Sequence, residues 1–172
     1  PADGTVALMR YTLRMLTTQQ FQRAASLICS MEFIRKNQLL VRMNTYINNT
    51  ILGESRFSIG LWLGSESSPN TNKSAKIEFN KFLTGKNYKG NPMILTECPW
   101  CRAGIGRCED NEKKKKGKSY KIAGITLVKD VPRLTCSDFS CFFGNKEISH
   151  QEFGLPVEVI DEQIYIKRPT LV

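Results

Sequence analysis

Residues 94–101 read ILTECPWC and residues 133–141 read RLTCSDFSC, and these two stretches decide how the chain is put together. Two residues separate Cys98 from Cys101, four separate Cys136 from Cys141, and Leu-Thr stands shortly before each pair. A close pair of thiolates lets one tight turn aim both sulfurs at a single ion while the backbone N–H groups of that turn point at them. Two such turns supply the four donors of a tetrahedral zinc site and leave no position for water, so the expected site is structural rather than catalytic. Most of the folding energy of so small a module would come from the metal. Cys108 lies between the pairs and either replaces one ligand or is an unused thiol, but the spacing favours Cys98, Cys101, Cys136 and Cys141. A redox reading of CPWC fails on context. A redox pair opens a helix after a strand, whereas Arg102-Ala103-Gly104-Ile105-Gly106 follows here and breaks helices.

Between the two pairs, residues 106–121 read GRCEDNEKKKKGKSYK, with Lys113, Lys114, Lys115, Lys116 and Lys118 nearly consecutive. Such a run is either a solvated hairpin tip or a grip for phosphates that supplies salt-sensitive, sequence-blind affinity. The chain as a whole carries 25 Lys and Arg against 16 Asp and Glu, a formal charge of +9. Residues 102–120 hold seven of those cations against three acids, so nearly half of the excess sits in this hairpin. A polyanion partner, nucleic acid first, is compatible with that charge.

Working outward, a length of 172 residues suits one domain carrying a small insert. At 41% hydrophobic residues, global disorder is excluded. No apolar run approaches the roughly 18 residues of a membrane span. Residues 1–10, PADGTVALMR, show no basic stretch leading into an apolar block, so a cytoplasmic location with reduced thiols or metal-bound cysteines is expected. Residues 5–11 (TVALMRY) read as a short buried strand. A helix is predicted from about Thr17, with Phe21, Ala24, Ala25, Ile28 and Met31 on its apolar stripe, a buried Cys29 inside it, and a basic end at Arg35-Lys36-Asn37. Residues 37–56 read as a loop, residues 57–63 (FSIGLWL) as a strand and residues 74–83 as a short amphipathic helix. Residues 155–172 offer two strands, near 157–160 and 170–172. Strands alternating with helices predict a parallel α/β layer.

Catalytic candidates are few. His150 is the one histidine and sits in a polar connector; no GxxxxGK[ST], GxSxG or HExxH occurs. Asp161-Glu162 follows an apolar run as a Walker B carboxylate would, but with no phosphate-binding loop in the chain it reads as a strand exit. No catalytic residue is assigned.

Residues 9–24, MRYTLRMLTTQQFQRA, resemble motif Ia of superfamily 2 helicases, in which a strand ends in a Pro-Thr-Arg-like turn and a Gln-containing helix follows. Tyr11, Thr12, Leu13 and Arg14 occupy the turn, with Gln19 and Gln20 at the helix start. The resemblance implies that Tyr11, Thr12 and Arg14 touch a nucleic-acid backbone, which suits hydroxyl and amide donors at a helix N-terminus. More closely, residues 10–29 (RYTLRMLTTQQFQRAASLIC), FSIGLWLG, CPWC, LPVEVIDEQIY and RPTLV resemble a group of large DEAD/DEAH-like helicases. That group includes the helicase subunit of DISARM-type phage-defence systems, and its members carry a cysteine insert between the strand after motif Ia and the strand leading to motif Ib.

The expectation is therefore an α/β fold: a partial RecA-like parallel sheet with helices and a small four-cysteine zinc-ribbon insertion. Residues 1–91 are the helicase segment, residues 92–145 the insert with its lysine-rich hairpin, and residues 146–172 the return to the sheet. On this reading Asp161-Glu162 precedes motif Ib and is not the DExx box, and the chain is a fragment whose Walker A lies upstream and motif II downstream. ATP and Mg belong only to the parent protein, an ATP-dependent DNA helicase or translocase in antiviral defence, and this chain alone is inactive. Its implied partners are DNA, the rest of the helicase chain and other defence-system subunits, with no membrane. The alternative is a stand-alone zinc-ribbon module that docks protein or nucleic acid without an ATPase partner domain.

Overall fold

The structure, a computed structural model, describes residues 4–10, 14–44, 53, 55–63, 67–85, 91–108, 121–144 and 154–172. Helix α1 (Arg14–Asn44) runs unbroken because no Gly or Pro interrupts those 31 residues. It starts earlier than the expected Thr17 and passes through residues 37–44, which the sequence reading assigned to a loop. Asn37 is no stop, since its side-chain amide donates to the Phe33 carbonyl at 2.8 Å and stays within the helix. Phe21, Ala25, Ile28 and Cys29 are buried at three- and four-residue steps, with Ala24 and Met31 packed against them at the margin.

The short strands β1 (Ile59–Gly60) and β6 (Val157–Glu158) pair in parallel. Leu171 bridges in parallel both to Ile59 and to Ala7, which orders four extended segments as residue 7, residue 171, β1 and β6. Backbone bonds hold the lanes: Gly60 N–H donates to Leu171 at 2.7 Å, Leu61 N–H to Glu158 at 2.9 Å and Met9 N–H to Val172 at 2.7 Å. The parallel α/β layer is thus present. The segment through residues 5–10 is not buried as expected; it is the exposed margin of the layer, with Val6 67% and Leu8 77% accessible.

Helix α2 (Asn72–Thr84) begins where Thr71 and Ser74 cap each other reciprocally and ends at Gly85, whose positive φ of 73° lets its N–H return to the Lys81 carbonyl. Ala75, Phe79 and Phe82 face inward from it. A third helix, α3 (Asp161–Lys167), which the sequence reading did not predict, starts at the Asp161-Glu162 pair read as a strand exit. Asp161 and Glu162 in its first turn and Lys167 in its last suit the helix dipole. Glu162 also accepts from the Asn72 N–H at 2.7 Å, tying the starts of α2 and α3 together.

Between α2 and β6 lie two antiparallel ribbons, β2 (Gly106–Cys108) with β3 (Lys121–Ala123), and β4 (Ile125–Val128) with β5 (Val131–Leu134). The β4–β5 connection, Lys129-Asp130, takes positive φ at both residues, as a two-residue hairpin turn requires. Arg107 fastens the first ribbon to α2 by donating from Nε to the Phe82 carbonyl at 2.8 Å. One hydrophobic core joins Phe21, Ala25 and Ile28 of α1 with Phe79 and Phe82 of α2, Val157 of β6 and the cysteine region. No described helix is long and apolar enough to cross a membrane.

Candidate metal centre

The first knuckle is a hairpin. Cys98 N–H donates to Ala103 at 2.8 Å, Arg102 N–H returns to Cys98 at 3.0 Å, and Ile105 N–H reaches Thr96 at 2.7 Å. Arg102 takes a left-handed φ of 68°, which turns the chain sharply just past Cys101 and returns it antiparallel, Gly104 opposite Glu97. The second knuckle closes through Cys136 N–H to Phe143 at 2.9 Å and Gly144 N–H to Cys141 at 2.9 Å. A Cβ at residue 144 would lie 2.6 Å from the Asp138 carbonyl oxygen, so only glycine fits that closure. Asp138 braces the tip by accepting from both the N–H (2.8 Å) and the hydroxyl (2.7 Å) of Ser140, which hold its carboxyl below the usual range.

These folds bring Cys98, Cys101, Cys136 and Cys141 together, with their sulfurs all within 4.8 Å of one another. The Sγ atoms of Cys101 and Cys136, from different knuckles, are 3.3 Å apart. A tetrahedral ion with metal–sulfur bonds of about 2.3 Å needs its sulfurs roughly 3.8 Å apart, so the spacing suits one metal ion. The backbone fits as well. Ala103 N–H serves Cys101, Phe143 N–H serves Cys141 and Asp138 N–H lies 3.4 Å from the Cys136 sulfur, each donor two residues past its cysteine. Such donors favour thiolates and orient them. Four cysteines in this arrangement can hold a metal such as zinc.

Burial pushes the Cys136 thiol up, and pushes Cys141 up to about 11. At Cys101 the burial effect is outweighed by the Ala103 N–H and the neighbouring thiols, and its pKa falls below the ordinary value. In the described residues the site therefore has three buried sulfurs and one exposed one, Cys101. Cys108 ends β2 outside the four-sulfur group, and Cys29 is fully buried in α1, also outside it.

Helix α1 forms one wall of the centre, a role the sequence reading did not assign to it. The Ser26 hydroxyl donates to the Pro99 carbonyl inside the first knuckle. Phe33 stacks on Trp100 with ring centroids 4.9 Å apart and meets Phe142 edge-on, also at 4.9 Å. Phe142 in turn meets Phe143 at 5.0 Å, and Trp100 meets Phe143 at 5.9 Å. Ser26, Cys29 and Phe33 follow one another at helical steps, which is the signal that marks this face in the sequence.

Of the residues expected to touch nucleic acid, Tyr11, Thr12, Lys113, Lys114, Lys115, Lys116 and Lys118 lie outside the described residues, as does His150. Arg14 is the first residue of α1 rather than part of a turn before it.

No protein-family model matches the chain. Over 98% of its length it is 32% identical to a protein of Bacillus paralicheniformis described as DISARM protein DrmA. The chain is related to a DISARM protein. It spans 13% of that relative's length.

Proposed function

We propose that this chain is the nucleic-acid-engaging part of an ATP-dependent superfamily 2 DNA helicase or translocase in a DISARM-type antiphage system, built around a structural zinc centre. Residues 1–91 and 146–172 form a partial RecA-like layer on this reading, and residues 92–145 the zinc-bearing insert. The observation that carries the metal part is the convergence of four cysteine sulfurs within 4.8 Å. The similarity to DISARM protein DrmA along nearly the whole chain supports the defence assignment. Zinc at Cys98, Cys101, Cys136 and Cys141 would supply no catalytic chemistry, because four thiolates leave no position for water or substrate. ATP and Mg act elsewhere in the parent protein. Tyr11, Thr12 and Arg14 contact the DNA backbone, and Lys113 to Lys116 with Lys118 form an auxiliary clamp.

Metal analysis of the purified chain tests the first half: one zinc per chain is expected, lost in a Cys98→Ser/Cys136→Ser variant. Retained stoichiometric zinc in that variant would refute the ligand set. A salt titration of DNA binding tests the second half, with a steep negative slope expected that flattens when Lys113 to Lys116 become Ala. A flat, weak profile in both proteins would leave a zinc-bearing interaction module.

A further inference from the structure

The contacts between α1 and the two knuckles carry a consequence for what the metal does, on the reading that the four cysteines bind zinc. We infer that zinc occupancy fixes helix α1 in place and, through Glu32, its attachment to β1, so that the centre acts as a clamp on the α/β layer. Three kinds of contact converge on one helical face. Ser26 holds the first knuckle by its hydroxyl, Cys29 packs fully buried against the cysteine cluster, and Phe33 lies between Trp100 of the first knuckle and Phe142 beside the second. Lys36 continues the face, its ammonium 5.9 Å from the centre of the Phe142 ring.

The two knuckles are distant in sequence. They present Trp100 and Phe142 to Phe33 together only while the cysteines hold them side by side. Without the metal, the direct contacts between knuckles reduce to weak thiol contacts such as the 3.3 Å approach of Cys101 and Cys136 and to the edge-on meeting of Trp100 with Phe143. The aromatic seat of Phe33 then opens. Directly before Phe33 in the same helix, Glu32 accepts from the Phe57 N–H at 3.1 Å, two residues ahead of β1. Movement of α1 at Phe33 is therefore felt at the strand that anchors the parallel sheet.

Hydrogen exchange on the full chain, with zinc stoichiometry measured on the same samples, tests this. Stripping zinc with a chelator should raise exchange in α1, residues 21–37, on the order of tenfold, while α2, held by its own caps and Phe79, rises much less. A Phe33→Leu variant keeps the apolar bulk and removes the ring contacts. It should bind the same stoichiometric zinc yet show α1 exchange raised about threefold, since local opening follows local contacts. Stoichiometric zinc whose removal leaves α1 exchange unchanged would overturn the inference while leaving the metal site standing. So would equal loosening of α1 and α2, or a Phe33→Leu protein indistinguishable from the parent. Absence of zinc binding would instead defeat the metal reading itself.

Discussion

Replacing Glu32 by Ala probes how firmly α1 is joined to the sheet. The Glu32 carboxylate is wholly buried and accepts from Arg35 at 2.8 Å (Nε) and 2.7 Å (Nη2), with the Phe57 N–H at 3.1 Å and the Lys36 ammonium at 3.9 Å. Arg35 is only 3% exposed, so the variant takes a carboxylate partner from a guanidinium held out of water as well as from a backbone N–H. Breaking one partner out of a buried pair costs about 3–5 kcal/mol. Arg35 has further interactions that soften the loss, which places the expected value at about 3–4 kcal/mol. With a urea dependence of about 2 kcal/mol/M, the unfolding midpoint should drop by roughly 1.5–2 M in zinc-saturated protein followed by circular dichroism. The double variant Glu32→Met/Arg35→Met should recover most of that stability, because apolar side chains of similar volume remove both charges together. A loss below about 1 kcal/mol for Glu32→Ala, or a double variant as unstable as the single one, would refute the reasoning.

Three further outcomes follow from other parts of the molecule. Gly124 stands between β3 and β4 at φ 72°, and a Cβ there would lie 2.8 Å from Ile105 and 3.0 Å from the Thr135 carbonyl oxygen. Gly124→Ala should therefore lower stability by more than about 1 kcal/mol in the same urea assay, and an unchanged midpoint would contradict the geometry. Burial pushes the Glu158 carboxyl up to about 7, more than Arg133 and Arg56 pull it down. The native state then keeps a proton that the unfolded chain releases near its ordinary value of 4.5, so this stabilisation is full below about that pH and is lost as pH rises through about 7. Stability measured from about pH 5 to about pH 8 should fall relative to Glu158→Gln, and a constant difference would refute the shift. Cys101, the exposed member of the four, should be the first cysteine of the cluster alkylated by iodoacetamide in metal-free protein and should be protected by zinc. Mass spectrometry showing Cys98 modified first would count against the arrangement.

Local signals made the knuckles readable. Two or four residues between cysteines is a spacing that a tight turn imposes, and the backbone donors two residues past Cys101, Cys136 and Cys141 express the same constraint in space. Apolar residues near 57–63 and 157–160 marked the paired strands β1 and β6 for the same reason. The misreadings came where a short range carries too little pattern. Residues 161–167 (DEQIYIK) span under two helical turns, too short for a periodic stripe to show, so a helix between the two expected strands was missed. Residues 37–44 lack a regular apolar stripe, yet nothing in them stops a helix already begun. The partnership between α1 and the knuckles was invisible because it is long-range: Ser26 and Pro99 are 73 residues apart.

The place of Leu171 in the sheet bears on how the chain is made. Its lane lies between those of Ala7 and Ile59, yet Ser58 and its neighbour Thr170 are separated by 112 residues. A ribosome adding about 5–20 residues each second leaves that lane vacant for roughly 6–22 s after Ser58 emerges. All four clustered cysteines are synthesised within that interval, before the strand that fills the gap. Metal capture during translation would then brace α1 against a half-built sheet while its inner edges are still open to the wrong strand.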